Sequence, residues 1–182
     1  MDITEALGTD SSRATIDWVV NEIGSDRKKF RIALEHCFAD IYPIAMRAAR
    51  AVQISCVVNP QFTNLYIDEI LEHLATAKVE GVRRSFAKLF NDNVDLKNFK
   101  QLGVLTNTCF NILESPKEGI AVRYYAMQIL YKISQIEPDL KPELALIIQL
   151  RLDESSGGIK NISQKLLKKL GKEIEKSKGI SR

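Results

Sequence analysis

The sequence predicts an all-α protein built from repeated helix pairs. Apolar residues recur at helical spacing along most of the chain, as in AVRYYAMQILYKI (121–133), where Val122, Ala126, Ile129 and Leu130 share one face. Glycine, proline and asparagine cut the chain into helix-length pieces, and no segment reads as a strand. A hydrophobic–basic pair heads every second piece. Met46-Arg47, Val82-Arg83, Val122-Arg123 and Ile159-Lys160 place their basic residues 36, 40 and 37 positions apart, a period that suits stacked helix pairs.

Taken in order, Ser11-Ser12 is expected to cap a helix around Trp18 that stops at Gly24. Residues 1–25 then form an N-terminal cap within the same domain, 26–176 the repeat array and 177–182 a frayed tail. Ser25 is expected to cap DRKKFRIALEHCFAD, and Pro43 to occupy the first turn of a helix over 42–58. Asn59-Pro60 reads as a breaker. TNLYIDEILEHLATAK places Leu65, Ile70, Leu71 and Leu74 on one face, and VEGVRRSFAKLF follows closely. One long helix is expected over 96–113, ending near Ser115-Pro116. The Ala121 stretch closes at Glu137-Pro138, and LKPELALIIQLRL and GGIKNISQKLLKKLGKEIEK complete the pairs.

With 182 residues, 45% of them hydrophobic, the chain is long enough to bury a core, and its net charge of +3 is mildly basic. MDITEALGTDSS lacks the basic-then-apolar order of a secretory signal, and no apolar run is long enough to cross a bilayer. A soluble, cytoplasmic protein is expected. Cys37, Cys56 and Cys109 sit inside apolar helical patterns, so buried free thiols are expected, with no metal site and no cofactor.

Val122-Arg123-x-x-Ala126-x-x-Ile129-Leu130 resembles the second helix of a HEAT repeat. The resemblance extends over about 26–175 as four helix pairs and implies a right-handed α-α superhelix. Met46–Ile54 departs from it, with Arg50 at the usual alanine position. It also implies that Arg47, Arg83, Arg123 and Lys160 stack repeats, each reaching an acidic group or carbonyl oxygens of a neighbouring repeat. Asp40, Glu80, Glu118 and Asp153 are the candidate acidic partners. The whole chain further resembles short bacterial HEAT-like proteins, some labelled adenylosuccinate lyase. That enzyme's catalytic Ser-Ser-x-Met-Pro-x-Lys-x-Asn loop is poorly matched by Ser155-Ser156-Gly157-Gly158-Ile159-Lys160-Asn161, which lacks Met-Pro. The segment reads instead as a glycine-rich turn into a helix, and no catalytic residue is assigned.

Other constellations read as structure. No phosphate-binding glycine loop is present. Glu69 and His73 are four apart and are expected to pair on an exposed helix face, within an acidic, solvated run that includes Asp68 and Glu72. Charge is the feature that points to function. The second helices carry the positive excess, the last holding seven lysines against two glutamates, while the rest of the chain is net acidic. By the HEAT resemblance those helices line a concave face, where Arg50, Arg84, Lys88 and Lys132 are the candidate partner-binding residues. A scaffold holding an acidic protein segment is the expected function. A nucleic-acid-binding protein related to the HEAT-like DNA alkylation glycosylases is the alternative. Neither a membrane nor a small-molecule substrate is expected as a partner.

Overall fold

The computed structural model describes residues 2–152 and 157–180. Among the described residues there are ten α-helices and two short 3₁₀ turns, and no strand. The chain divides into two compact units, Met1–Asp95 and Leu96–Arg182.

The first unit opens with a helix missed in the sequence, α1 (Ile3–Thr9). Its Asp2 cap accepts from the Glu5 amide while the Glu5 carboxylate accepts from the Asp2 amide, a reciprocal capping box. α2 (Arg13–Ile23) is capped by Ser12 and stops at Gly24, whose φ of +51° favours glycine. α3 (Arg27–Phe38) is capped by Asp26 rather than Ser25, because the Asp26 carboxylate accepts from the amides of Lys28 and Lys29.

α4 (Ile44–Val58) begins after Pro43, which stands at the cap position and not in the first turn. α4 packs on α1, α2 and α3. Four alanines, Ala45, Ala48, Ala49 and Ala51, are fully buried along it, letting neighbours close in from several sides. Asn59-Pro60 ends α4 at Val58, as a breaker does, and at once starts the next helix. Asn59 caps α5 (Pro60–Thr76) and Pro60 fills its first position, where a missing N–H costs nothing. Phe62, Ile70, Leu71 and Leu74 face the core, but Leu65, expected beside them, is 47% exposed. α6 (Glu80–Asn93) packs on both α4 and α5. The first helices of successive pairs meet through Phe30 and Phe62, stacked at 4.1 Å, with Tyr66 5.1 Å from Phe30.

In the second unit the single helix expected over 96–113 is two elements. A 3₁₀ turn, Leu96–Asn98, buries Leu96, and α7 (Leu102–Glu114) follows. α8 (Ile120–Ile133) packs against α7 and buries Val122, Ala126, Ile129, Leu130 and Ile133. A 3₁₀ turn at Pro138–Leu140 leads into α9 (Lys141–Arg151), which packs on α7 and α8. α10 (Gly157–Ile180) lies against α9, and its helical backbone continues beyond the expected fraying point near Lys176. Asp153, Ser155 and Ser156, and with them the start of the lyase-like segment, lie outside the described residues.

Candidate functional site

In the first unit, the turn between α3 and α4 is fastened to the start of α6. Asp40 adopts φ +55°, a left-handed conformation that aspartate tolerates better than most residues. Its carboxylate accepts from the backbone amides of Lys78 at 2.6 Å and Val79 at 2.9 Å. α6 has no side-chain cap from its own N-cap residue, Val79. Asp40 therefore caps it from 38 and 39 residues away, satisfying orphan donors and placing negative charge at the positive end of the helix.

Beside that anchor the two helices nearly touch. A Cβ on Gly81 would lie 2.2 Å from Met46 Cγ, so only glycine fits this approach. Tyr42, Met46, Lys78, Val79, Glu80, Gly81 and Arg84 enclose a surface recess of 450 Å³. Tyr42 is 69% exposed at its rim, its neighbour Ile41 is exposed too, and Arg84 stands exposed on α6. An aromatic ring, a guanidinium and an ammonium thus border one concavity, with Glu80 as its carboxylate.

The other residues assigned to partner binding stand differently. Arg50 is exposed on α4 one turn beyond Met46, and its Nη1 donates to the Ser11 carbonyl at 3.5 Å. Lys88 is ion-paired with Asp92 on the same helix, which offsets its charge. Lys132 is exposed in the last turn of α8, in the second unit.

Arg47 Nη1 donates to the Leu7 carbonyl at 2.8 Å, joining α4 to the C-terminal end of α1, where a cation is favoured. Arg83 is half-buried on α6, and Lys160 is half-buried on α10. Arg123 Nε donates to the Glu118 carbonyl at 3.1 Å. That oxygen belongs to the turn leading into its own helix, not to a neighbouring repeat. Arg151, which sequence reasoning missed, donates to the carbonyl of Glu114 at the end of α7. Arg123 and Arg151 flank a mostly apolar pocket formed with Leu113, Met127, Ile147, Ile148, Ile159 and Ser163. At 20 Å³ it has room for little more than a water.

The Glu69–His73 expectation is corrected. Glu69 pairs with Arg31 of α3 at 2.6 Å, and Arg31 also lies over Tyr66. His73 is half-buried, 4.8 Å from the Phe38 ring and 6.2 Å from Phe86. Burial holds its pKa below the ordinary value against the opposing pull of Asp40 and the Cys37 backbone. A polar cluster around Glu173 was also not foreseen. Its carboxylate accepts from Tyr131 Oη at 2.7 Å and Gln135 Nε2 at 3.2 Å and pairs with Lys141 at 3.0 Å, tying α8, α9 and α10 together. Burial opposes its ionisation, yet these bonds together hold its carboxyl below the usual range.

All three cysteines are buried and unpaired. Desolvation pushes the Cys56 thiol up to about 12 and raises those of Cys37 and Cys109 as well. Such thiols stay protonated at neutral pH and make poor nucleophiles. Among the described residues, no helix is long and apolar enough to cross a membrane, and no group of three or more His, Cys, Asp or Glu side chains is arranged to hold a metal ion.

Comparison with curated proteins and with solved structures gives no match. A family described as HEAT repeat domain matches residues 3–170, which include α1 and reach to Leu170 in α10. It is a helical-repeat family, and such families generally mediate protein interactions through their stacked helices. With the match covering most of the sequence and helix pairs present in both units, the chain belongs to the HEAT repeat domain family.

Proposed function

We propose that this chain is a non-enzymatic protein-interaction module that binds an acidic segment of a partner protein on the α4–α6 face of its first unit. The observation that carries this reading is the 450 Å³ recess between Tyr42 and Arg84. Arg84 offers a planar fork suited to a carboxylate, and Lys78 adds a flexible point charge. Tyr42 offers a rigid amphipathic surface of the kind enriched at interaction hot spots. Met46 at the recess wall is adaptable enough to pack against varied side chains. Asp40 fixes the turn that presents Tyr42, so little ordering accompanies binding.

Arg50 extends the positive character along α4, while Lys88, shared with Asp92, contributes less than its charge suggests. Lys132 is a separate exposed cation on the second unit. Three buried, unpaired thiols suit a reducing compartment, and we assign the module to the cytoplasm.

A photo-cross-linking residue in place of Tyr42 tests this in the native host, with the same residue at Lys117, exposed in the turn between α7 and α8 of the second unit, as control. The expected result is a cross-linked segment rich in Asp and Glu that is lost when Arg84→Glu is added. Equal capture with and without Arg84→Glu, or capture only at Lys117, contradicts the proposal.

A further inference from the structure

The last helix carries a charged face that the proposed surface does not use. On α10, Lys165, Lys168, Lys169, Lys172 and Lys176 are all exposed. At 3.6 residues per turn they fall within an arc of about 100°. Ile159, Ser163, Leu166 and Leu170 on the opposite side are buried. Lys169 rests over the Tyr131 ring at 4.5 Å. Lys165, Lys168, Lys172 and Lys176 have no carboxylate partner among the described residues.

A solvent-facing helix needs only a polar outer face, and mixed charges would serve it better. Like charges at i,i+3 and i,i+4 destabilise a helix, and this face repeats them without an intervening acid. We infer that the lysine face of α10 is a sequence-independent docking surface for the phosphate backbone of a nucleic-acid duplex.

The chemistry separates this occupant from others. From Lys165 to Lys176 the row spans about 16 Å at ~1.5 Å per residue, the axial length of roughly five base pairs at ~3.4 Å each. No aromatic residue occurs between Lys160 and Lys176 on which single-stranded bases could stack. An amphipathic helix grips a membrane with its apolar side, but here Leu166 and Leu170 are buried in the fold. Glu173 and Glu175 border the row, so a broad anionic plane would meet carboxylates as well as lysines, whereas a narrow line of phosphates meets lysines alone. Lysines at the backbone position a duplex without reading its bases.

Fluorescence anisotropy of the full chain with two short DNA duplexes of unrelated sequence, between about 50 and about 200 mM salt, tests the inference. Four neutralised phosphates predict equal affinity for both duplexes and a slope of log affinity against log salt of about −3.6. The double variant Lys168→Glu/Lys172→Glu, checked for unchanged helical circular dichroism, is expected to bind roughly 10- to 100-fold more weakly at about 50 mM salt, with a slope shallower by about 1.8. Arg84→Glu in the first unit is expected to leave duplex binding unchanged, which separates this surface from the one proposed above. The inference is overturned if the duplex does not bind, if the double variant binds as well as wild type, or if Arg84→Glu weakens binding as much. It is equally overturned if phosphatidylserine vesicles or polyglutamate bind through these lysines and the duplex does not.

Discussion

The Asp40 carboxylate lies 2.9 Å from the backbone nitrogen of Val79, and this contact makes one helix pair the cap of the next. Removing it exposes how the first unit is joined. Asp40→Ala should cost about 1 to 2 kcal/mol in urea unfolding, the range for losing a helix N-cap. Asp40→Asn should lose less, because asparagine keeps an acceptor oxygen and tolerates the left-handed backbone. Equal losses for the two variants would contradict a role for the side-chain acceptor oxygen in the cap.

Gly81→Ala should destabilise the first unit by about 1 to 3 kcal/mol, the cost of forcing atoms into a packed contact. The added methyl would meet Cγ of Met46 at 2.2 Å and its Cβ at 2.9 Å, so rotation of the methionine tip gives limited relief. Placing Gly81→Ala in a Met46→Ala background should recover part of that loss. Thermal melts of the four chains measure the coupling, and strict additivity would contradict the close approach.

The second unit should lose stability in acid through Glu173. Its folded pKa lies below the ordinary 4.5, so its ionised bonds stabilise fully above that value and are lost as pH falls through the folded value. Tyr131→Phe and Gln135→Leu each remove a donor and should narrow the pH window of that loss. Stability against pH, followed by urea unfolding, reads the effect. An unaltered acid limb in the double variant would remove Glu173 from the account.

Cys37 and Cys109 should resist a thiol reagent at pH 8 until the chain unfolds. Both are fully buried, with pKa raised by desolvation. Cys56, at about 12, should behave alike. Labelling of the native chain within minutes would place at least one thiol in a mobile or open region.

Periodicity and punctuation made the helix pairs readable, because burial demands one apolar face per helix and turns demand particular residues. The stretch from Val122 to Leu130 is the clearest case, with its apolar positions buried as the spacing predicts. The capping box of Asp2 and Glu5 is equally legible, yet only the helix after Ser11-Ser12 was expected in this stretch. The break before Leu102 carries neither glycine nor proline, and its one turn-forming residue, Asn98, is too weak a signal alone to divide the helix. Pairings such as Arg31 with Glu69 or Tyr131 with Glu173 join residues about 40 positions apart, and only packing brings them together. For the same reason the recess at Tyr42 was unseen, although its Arg84 was picked out by charge.

The central claim is that Arg84 serves recognition while Arg47 serves the fold, and one paired measurement tests it. The segment cross-linked at Tyr42 is synthesised as a peptide, and its affinity and the melting temperature are measured for wild type, Arg84→Glu and Arg47→Met. Arg84→Glu should change stability by no more than about 0.5 kcal/mol while weakening the peptide at least about tenfold, equivalent to ~1.4 kcal/mol. Arg47→Met should lose about 1 to 3 kcal/mol of stability, as its bond to the Leu7 carbonyl goes, and should still bind the peptide when folded. If Arg84→Glu binds as tightly as wild type, or if Arg47→Met loses binding without losing stability, the division of roles is wrong.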